Sequence, residues 1–131
     1  MTQYNYDVSG NVTAITDPVN GNTAYQYDDL GNLVQLTSPD TGTTTFTYDA
    51  AGNPTGRQDA LGHMLVYTWD ELNRLTGVDS RSVTDDLVFT YDSCTNGHGK
   101  LCSVFTEASL ASYEYDVFGN VTGHQMIAYS H

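Results

Sequence analysis

Lysine is almost absent from this 131-residue chain: Lys100 is the only one, and four Lys and Arg together face sixteen Asp and Glu, for a formal charge of −12. A surface this acidic repels phosphate backbones and anionic head groups, which excludes nucleic acid as a natural partner. No apolar run approaches the roughly 20 residues of a membrane-spanning helix, and Met1-Thr-Gln3 leads into the sequence without a charged and an apolar signal region. Membrane insertion is therefore not expected. Strong helix formers are sparse, and apolar residues do not recur at i, i+3, i+4 and i+7. Cysteine occurs twice, proline three times and tryptophan once. What fills the chain instead is Thr, Tyr, Val, Gly, Asn and Asp, the chemistry of strands and turns.

These residues are ordered by a repeat. A Tyr-Asp or Trp-Asp pair stands at Tyr6-Asp7, Tyr27-Asp28, Tyr48-Asp49, Trp69-Asp70, Tyr91-Asp92 and Tyr115-Asp116, at spacings of 21, 21, 21, 22 and 24 residues. A fixed period in this range marks an array whose units each bury an apolar face against their neighbours. The chain is expected to be one such array of about five and a half units, approximately 6–26, 27–47, 48–68, 69–90, 91–114 and 115–131. Starting and stopping in mid-pattern, it reads as a stretch of a longer array.

Within each unit two aromatics sit two residues apart, as at Tyr25 and Tyr27, Phe46 and Tyr48, or Tyr67 and Trp69. That spacing puts both on one face of a strand and is expected to build a ladder of cross-strand aromatic contacts. Asp-x-x-Gly-Asn follows, with Asp7 and Gly10, Asp28 and Gly31, Asp49 and Gly52, and Asp116 and Gly119. Asp first and Gly fourth suit a type I turn closed by a left-handed residue. In the fourth unit Asn73, the next best left-handed residue, stands in place of Gly after Asp70. A second strand and a second turn complete the unit, the latter at Asp17-Pro-Val-Asn-Gly21, Ser38-Pro-Asp-Thr-Gly42 or Asp59-Ala-Leu-Gly62. Pro54 should mark an edge or a bulge, because proline cannot donate to a ladder. Segments 80–86 and 106–112 read as lengthened return loops on one rim.

Both cysteines lie in Cys94-Thr-Asn-Gly-His-Gly-Lys-Leu-Cys102. If Gly97-His98-Gly99 forms a three-residue hairpin loop, Asn96 faces Lys100 and Cys94 faces Cys102. Two readings stand: a disulfide, as in a secreted or cell-surface protein, or two reduced thiols packed side by side. Zinc lacks a second ligand pair.

The pattern carried by Tyr6-Asp7, Gly10-Asn11, Asp17, Gly21, Tyr25-Gln-Tyr27-Asp28 and Gly31 resembles the YD repeat of the RHS family, and the likeness runs along nearly the whole chain. The segment from Tyr91 to Cys102 is similar to a cysteine-bearing variant of that repeat in bacterial RHS proteins. The resemblance implies an all-β fold in which antiparallel β-hairpins form a curved, spiralling ribbon-like sheet. It also implies a role in the shell of bacterial polymorphic toxins, where the ribbon closes around a C-terminal toxin domain. Secretion or cell-surface display follows, as part of a larger exported protein. A shell takes more units than these, so the expected partners are neighbouring repeats of a parent protein, other copies of the chain paired edge to edge as a homo-oligomer, and an enclosed toxin.

No Ser/His/Asp set, His-Glu-x-x-His or glycine-rich phosphate loop is present, so no catalytic, cofactor-binding or metal-binding residue is assigned. His63, His98, His124 and His131 fall at unrelated phases of the repeat and read as turn or tail residues. The alternative function is extracellular carbohydrate or cell-wall binding, since hairpin arrays with periodic aromatics also build such modules. A calcium array is disfavoured, because six to eight oxygens must converge and each repeated Asp already serves a turn.

Overall fold

The computed structural model describes residues 1–81 and 86–129. It is all-β, with twelve strands hydrogen-bonded in the order in which the chain makes them. Two compact units, Met1–Leu65 and Val66–His131, divide the chain. The first holds β1 (Gln3–Tyr6), β2 (Val12–Asp17), β3 (Gly21–Tyr27), β4 (Leu33–Ser38), β5 (Gly42–Tyr48) and β6 (Pro54–Gln58). The division falls within β7 (Met64–Trp69), and β8 (Leu75–Ser80), β9 (Leu87–Tyr91), β10 (Leu101–Phe105), β11 (Ser109–Tyr115) and β12 (Val121–Ala128) belong to the second. Every described pairing is antiparallel.

In the first unit each full-length odd strand is shared between two neighbours. β3 pairs with β2 through Gly21 to Ala24 and with β4 through Ala24 to Tyr27. β5 divides itself in the same way, with Gly42 to Thr45 against β4 and Thr45 to Tyr48 against β6. The register of each odd-to-even hairpin slips by one residue just before the Tyr of its Tyr-Asp pair, at Asn5/Tyr6, Gln26/Tyr27 and Thr47/Tyr48. The extra residue on the even strand is Thr13, Val34 or Thr55, a bulge that recurs with the repeat. Pro54 opens β6 opposite Tyr48 beside that bulge. The second unit repeats the slip at Leu101/Ser103 and Glu114/Tyr115.

The expected aromatic ladder is not what the described pairings build. Opposite Tyr25 and Tyr27 stand Leu36 and Leu33, opposite Phe46 and Tyr48 stand Arg57 and Pro54, and opposite Tyr113 and Tyr115 stand His124 and Val121. Aromatics end the odd strands whereas aliphatic and small residues begin the even ones, so a hairpin joins unlike sides of the repeat. Tyr113 and His124 do stack, at 5.1 Å between ring centroids. Burial is shallow. Cys102, 3% exposed, and Thr44, 7% exposed, are the only buried side chains among the described residues, and Tyr4 and Tyr6 are more than half exposed.

Residues 106–112 do not form a lengthened loop. Thr106 and Ser109 bond each other's backbone in a tight turn, Thr106 Oγ1 accepts the Ala108 and Ser109 N–H groups, and residues 109–115 are strand β11. Leu110 and Ala111 pair with Ile127 and Met126, so the added residues extend a ladder. Of the 80–86 segment, residues 82–85 lie outside the described residues, as does His131.

Return turns also use left-handed glycine, and two of them differ in their surroundings. A Cβ on Gly42 (φ 74°) would lie 2.5 Å from Ala60 Cβ, whereas one on Gly62 (φ 85°) would meet open space. Gly62→Ala should cost about 1 kcal/mol through its backbone conformation alone, and Gly42→Ala about 2 kcal/mol or more because Ala60 must move as well. Denaturant unfolding of the two variants checks the order; equal losses would show that Gly42 is not held against Ala60.

Candidate functional site

The chemistry of the chain is concentrated on the rim where odd strands turn into even ones. At Asp7 the backbone closes through Asp7 N–H to Asn11 O at 2.9 Å and Gly10 N–H to Asp7 O at 3.1 Å. One carboxylate oxygen accepts the N–H groups of Ser9 and Asn11, both at 2.9 Å, and the other accepts the Asn11 side-chain amide at 3.0 Å. Asp28, Asp49 and Asp116 repeat this arrangement. Gly10, Gly31, Gly52 and Gly119 take φ between 83° and 87°, and Asn73 takes 59°. At all four aspartates the Asn side-chain amide, followed by its backbone N–H, holds the carboxyl below the usual carboxylate range.

The fifth residue of the turn varies, and its variants reach further. Asp59-Ala-Leu-Gly62-His63 on the opposite rim is the same turn, with His63 Nδ1 2.9 Å from Asp59 Oδ2 in the place of the Asn amide. Burial opposes ionisation of Asp59, but the His63 side-chain and backbone bonds outweigh it and the carboxyl is lowered. His63 therefore has a defined phase, which its histidine identity hid. Arg74 takes the fifth position after Asp70, donating from Nε to Asp70 at 2.7 Å and from its two terminal nitrogens to Asp92 at 3.2 and 2.7 Å. Its guanidinium also lies 4.4 Å from the Tyr91 ring centroid. Bonds from Arg74 and then from the Gly99 N–H hold the Asp92 carboxyl down at about 2.

Tyrosine links one turn to the next. The hydroxyls of Tyr27, Tyr48, Tyr91 and Tyr115 donate to the carbonyls of Val12, Leu33, Leu75 and Leu101, at 3.0, 2.8, 2.7 and 2.7 Å. Each acceptor opens an even strand. The described ladders with the following odd strands begin two residues later, at Ala14, Gln35, Gly77 and Ser103. The hydroxyl thus serves a carbonyl that the ladder has left behind. Burial, then the charge of Asp28, pushes the Tyr48 hydroxyl up.

The cysteine segment is not a three-residue hairpin. Tyr91 faces Leu101, and residues 92–100 form one enlarged rim turn closed by Asp92 N–H to Lys100 O at 3.2 Å. The reason is the register common to the repeat, which sets the second aromatic against the first residue of the next strand and leaves four extra residues to be folded inside the turn. They make two further turns, Gly97 N–H to Cys94 O and Lys100 N–H to Gly97 O. Cys94 reaches back from the loop and is disulfide-bonded to Cys102, the bulge residue of β10, with a Cα separation of 5.4 Å.

No group of three or more His, Cys, Asp or Glu side chains able to hold a metal occurs among the described residues. Asp7, Ser9, Asn11, Thr13, Tyr25, Gln26, Tyr27, Asp28 and Leu30 line an open groove of about 780 Å³ between consecutive rim turns. No helix among the described residues is long and apolar enough to cross a membrane.

The RHS Repeat family model matches residues 6–43, 31–64 and 48–82, together more than half of the sequence. The chain belongs to the RHS repeat family. Solved structures share the fold of this RHS chain. In the TcdB2-TccC3-Cdc42 crystal structure the TM-score is 0.72 at 24% identity over 92% of this chain. In the Photorhabdus luminescens Tc holotoxin pore with a TccC3 mutation it is 0.74 at 23% over 94%, and in TcdB2-TccC3-TEV it is 0.71 at 22% over 92%. The chain spans 7% of the length of each of these. No curated protein matches.

Replacing Tyr48 or Tyr91 by Phe removes one hydroxyl and leaves the ring, so each change should cost about 1 kcal/mol in denaturant unfolding. A loss below about 0.3 kcal/mol would mean that water replaces the hydroxyl without penalty. The lowered carboxyls bind fewer protons folded than unfolded, so their stabilisation is complete above the unfolded value and disappears as pH falls through the folded values. The thermal midpoint should therefore decline between about pH 5 and pH 2, the lower end being set by Asp92 at about 2. A midpoint constant across that window would contradict the carboxylate bonds.

Proposed function

We propose that this chain is a non-catalytic structural repeat module, part of the β-shell wall of an RHS protein that encloses or presents a C-terminal toxin domain. The observation that carries this reading is the engagement of the repeated polar groups: the recurring carboxylates Asp7, Asp28, Asp49, Asp70 and Asp116 each hold their own turn, and the recurring tyrosyl hydroxyls hold the turn before. A repeat whose acids and hydroxyls are spent on its own geometry builds a surface and performs no turnover. The fold shared with Tc toxin components supports the same reading, and with it export from the cell as part of a larger protein. The repeat residues named from the sequence, Tyr6 and Asp7 to Tyr115 and Asp116 with their turn residues Gly10, Gly31, Gly52, Asn73 and Gly119, act as structural elements of six successive units. Partners are the adjoining repeats or further copies of the chain, paired through strand edges as a homo-oligomer.

Limited proteolysis of the polypeptide that carries this segment tests the enclosure. The region following the repeats should resist protease in the parent and be cut when Tyr27, Tyr48 and Tyr91 are all changed to Phe. Equal cutting in both would sink the shell reading. The groove between Asp7 and Gly31 favours a second reading, saccharide binding, because Tyr25 and Tyr27 flank amide and carboxylate groups there. Calorimetric titration with cell-wall oligosaccharides decides it: heat that disappears in Tyr25→Ala establishes binding, and no heat removes it.

A further inference from the structure

The enlarged turn at residues 92–100 touches the turns on both sides of it. Toward the preceding turn, Asp92 receives the Arg74 guanidinium at 3.2 and 2.7 Å. Toward the following one, Asn96 donates its side-chain amide to the Tyr115 carbonyl at 2.9 Å, and the Tyr115 N–H donates to Thr95 O at 3.4 Å. Lys100 Nζ adds a cation 5.0 Å from the Tyr115 ring centroid. Thr95 and Asn96 thus serve both backbone groups of Tyr115. Asp92 and Asn96 hold positive φ, 65° and 53°, a conformation that needs outside support in residues other than glycine.

The loop that carries them is also tied down by the Cys94–Cys102 bond, with Gly97 packed above it. Cys102 is 3% exposed, and its sulfur accepts the Cys94 N–H at 3.0 Å. A Cβ on Gly97 would lie 2.7 Å from the Cys102 sulfur and closer still to that of Cys94, so only glycine can close over the pair. Cys94 is the more accessible of the two cysteines, lying in the loop and half-buried.

We propose that Cys94–Cys102 is a redox-controlled clasp, a site of thiol–disulfide exchange with a dithiol reductant, whose opening releases Thr95 and Asn96 from Tyr115. A thiolate of the reductant attacks the Cys94 sulfur, forming a mixed disulfide there while Cys102 leaves as a thiolate and takes up a proton. The second thiol of the reductant, as thiolate, attacks its own half of the mixed disulfide and expels Cys94, which is protonated in turn. The reductant becomes a cyclic disulfide, and the chain gains two electrons and two protons as two thiols. Without the covalent tie Cys94 is held against β10 only by hydrogen bonds, its own N–H to the Cys102 sulfur and the loop closure at Asp92 and Lys100, and the loop can relax its left-handed residues. The joint between rim turns 70–74 and 115–119 loosens while the turns themselves keep their aspartates.

Two measurements on the intact chain test this. Amide exchange should rise about tenfold or more at Tyr115, Gly97 and Lys100 on addition of dithiothreitol, with the amides of Asn32 and Asn53 unchanged. The Cys94→Ser and Cys102→Ser double variant should show the same pattern without reductant. An unchanged rate at Tyr115, or an equal rise across the whole chain, would overturn the clasp. Brief treatment with a monothiol, acid quenching and peptide mapping should find the adduct on Cys94; an adduct confined to Cys102 would overturn the order of attack.

Discussion

A carboxylate folded back on its own turn is the interaction on which this structure depends. A sheet with two buried side chains among its described residues cannot take its register from a hydrophobic core, because there is hardly one to be misplaced. The register must be set locally. Asp at the first position satisfies two backbone donors and one side-chain donor, Gly or Asn at the fourth takes the left-handed conformation, and the fifth residue ties the loop shut. Each described odd-to-even turn then delivers the chain into the next strand with one extra residue near its start, the recurrent bulge. That bulge displaces the ladder and leaves the carbonyl of the strand's opening residue without a strand partner, and the tyrosine one unit later supplies the missing donor. Turn, bulge and hydroxyl are consequences of one another, which is why Tyr and Asp travel as a pair.

Variation at the fifth position shows how one scaffold acquires different strengths. Asn closes its own turn with its side-chain amide. Arg74 closes its turn, pairs with Asp92 and covers Tyr91, so that a single side chain joins two consecutive turns. Lys100, at the same position of the enlarged turn, lies over the ring of Tyr115. These side chains are exposed enough for water and salt to screen their charges, and their contribution is one of placement more than of raw attraction.

Much of this was legible in the sequence. The period, the all-β class, the hairpin as the unit and the RHS family followed from Tyr-Asp-x-x-Gly-Asn recurring in phase, because turn chemistry is local and local rules are strong. Long-range matters were less legible. That Tyr25 faces Leu36 and not another ring depends on pairing between unlike halves of the repeat, which the i, i+2 spacing of aromatics does not encode. In the loop at 92–100 two glycines suggest a tight hairpin, but the array's register outweighs local turn preference and sets Tyr91 against Leu101. The signal for His63 is Asp59-Ala-Leu-Gly-His itself, which matches Asp-x-x-Gly-Asn at every position but the last and lies on the rim opposite the Tyr-Asp pairs. The tyrosyl hydroxyl bonds had a signal too: the second aromatic of the pair is Tyr in five of six units, although Phe would pack as well.

The most direct test of the claim that carboxylate-closed turns hold this sheet is residue-resolved amide exchange in the Met1–Leu65 unit. The N–H groups of Asn11, Asn32 and Asn53 donate to side-chain carboxylates at the rim and lie outside every strand. If the turns are the fixed points, these amides exchange as slowly as those of Tyr25 and Phe46 in the strands beside them. Exchange at the rate of an unprotected chain, with the strand amides still protected, would show that the turns merely connect strands held by something else.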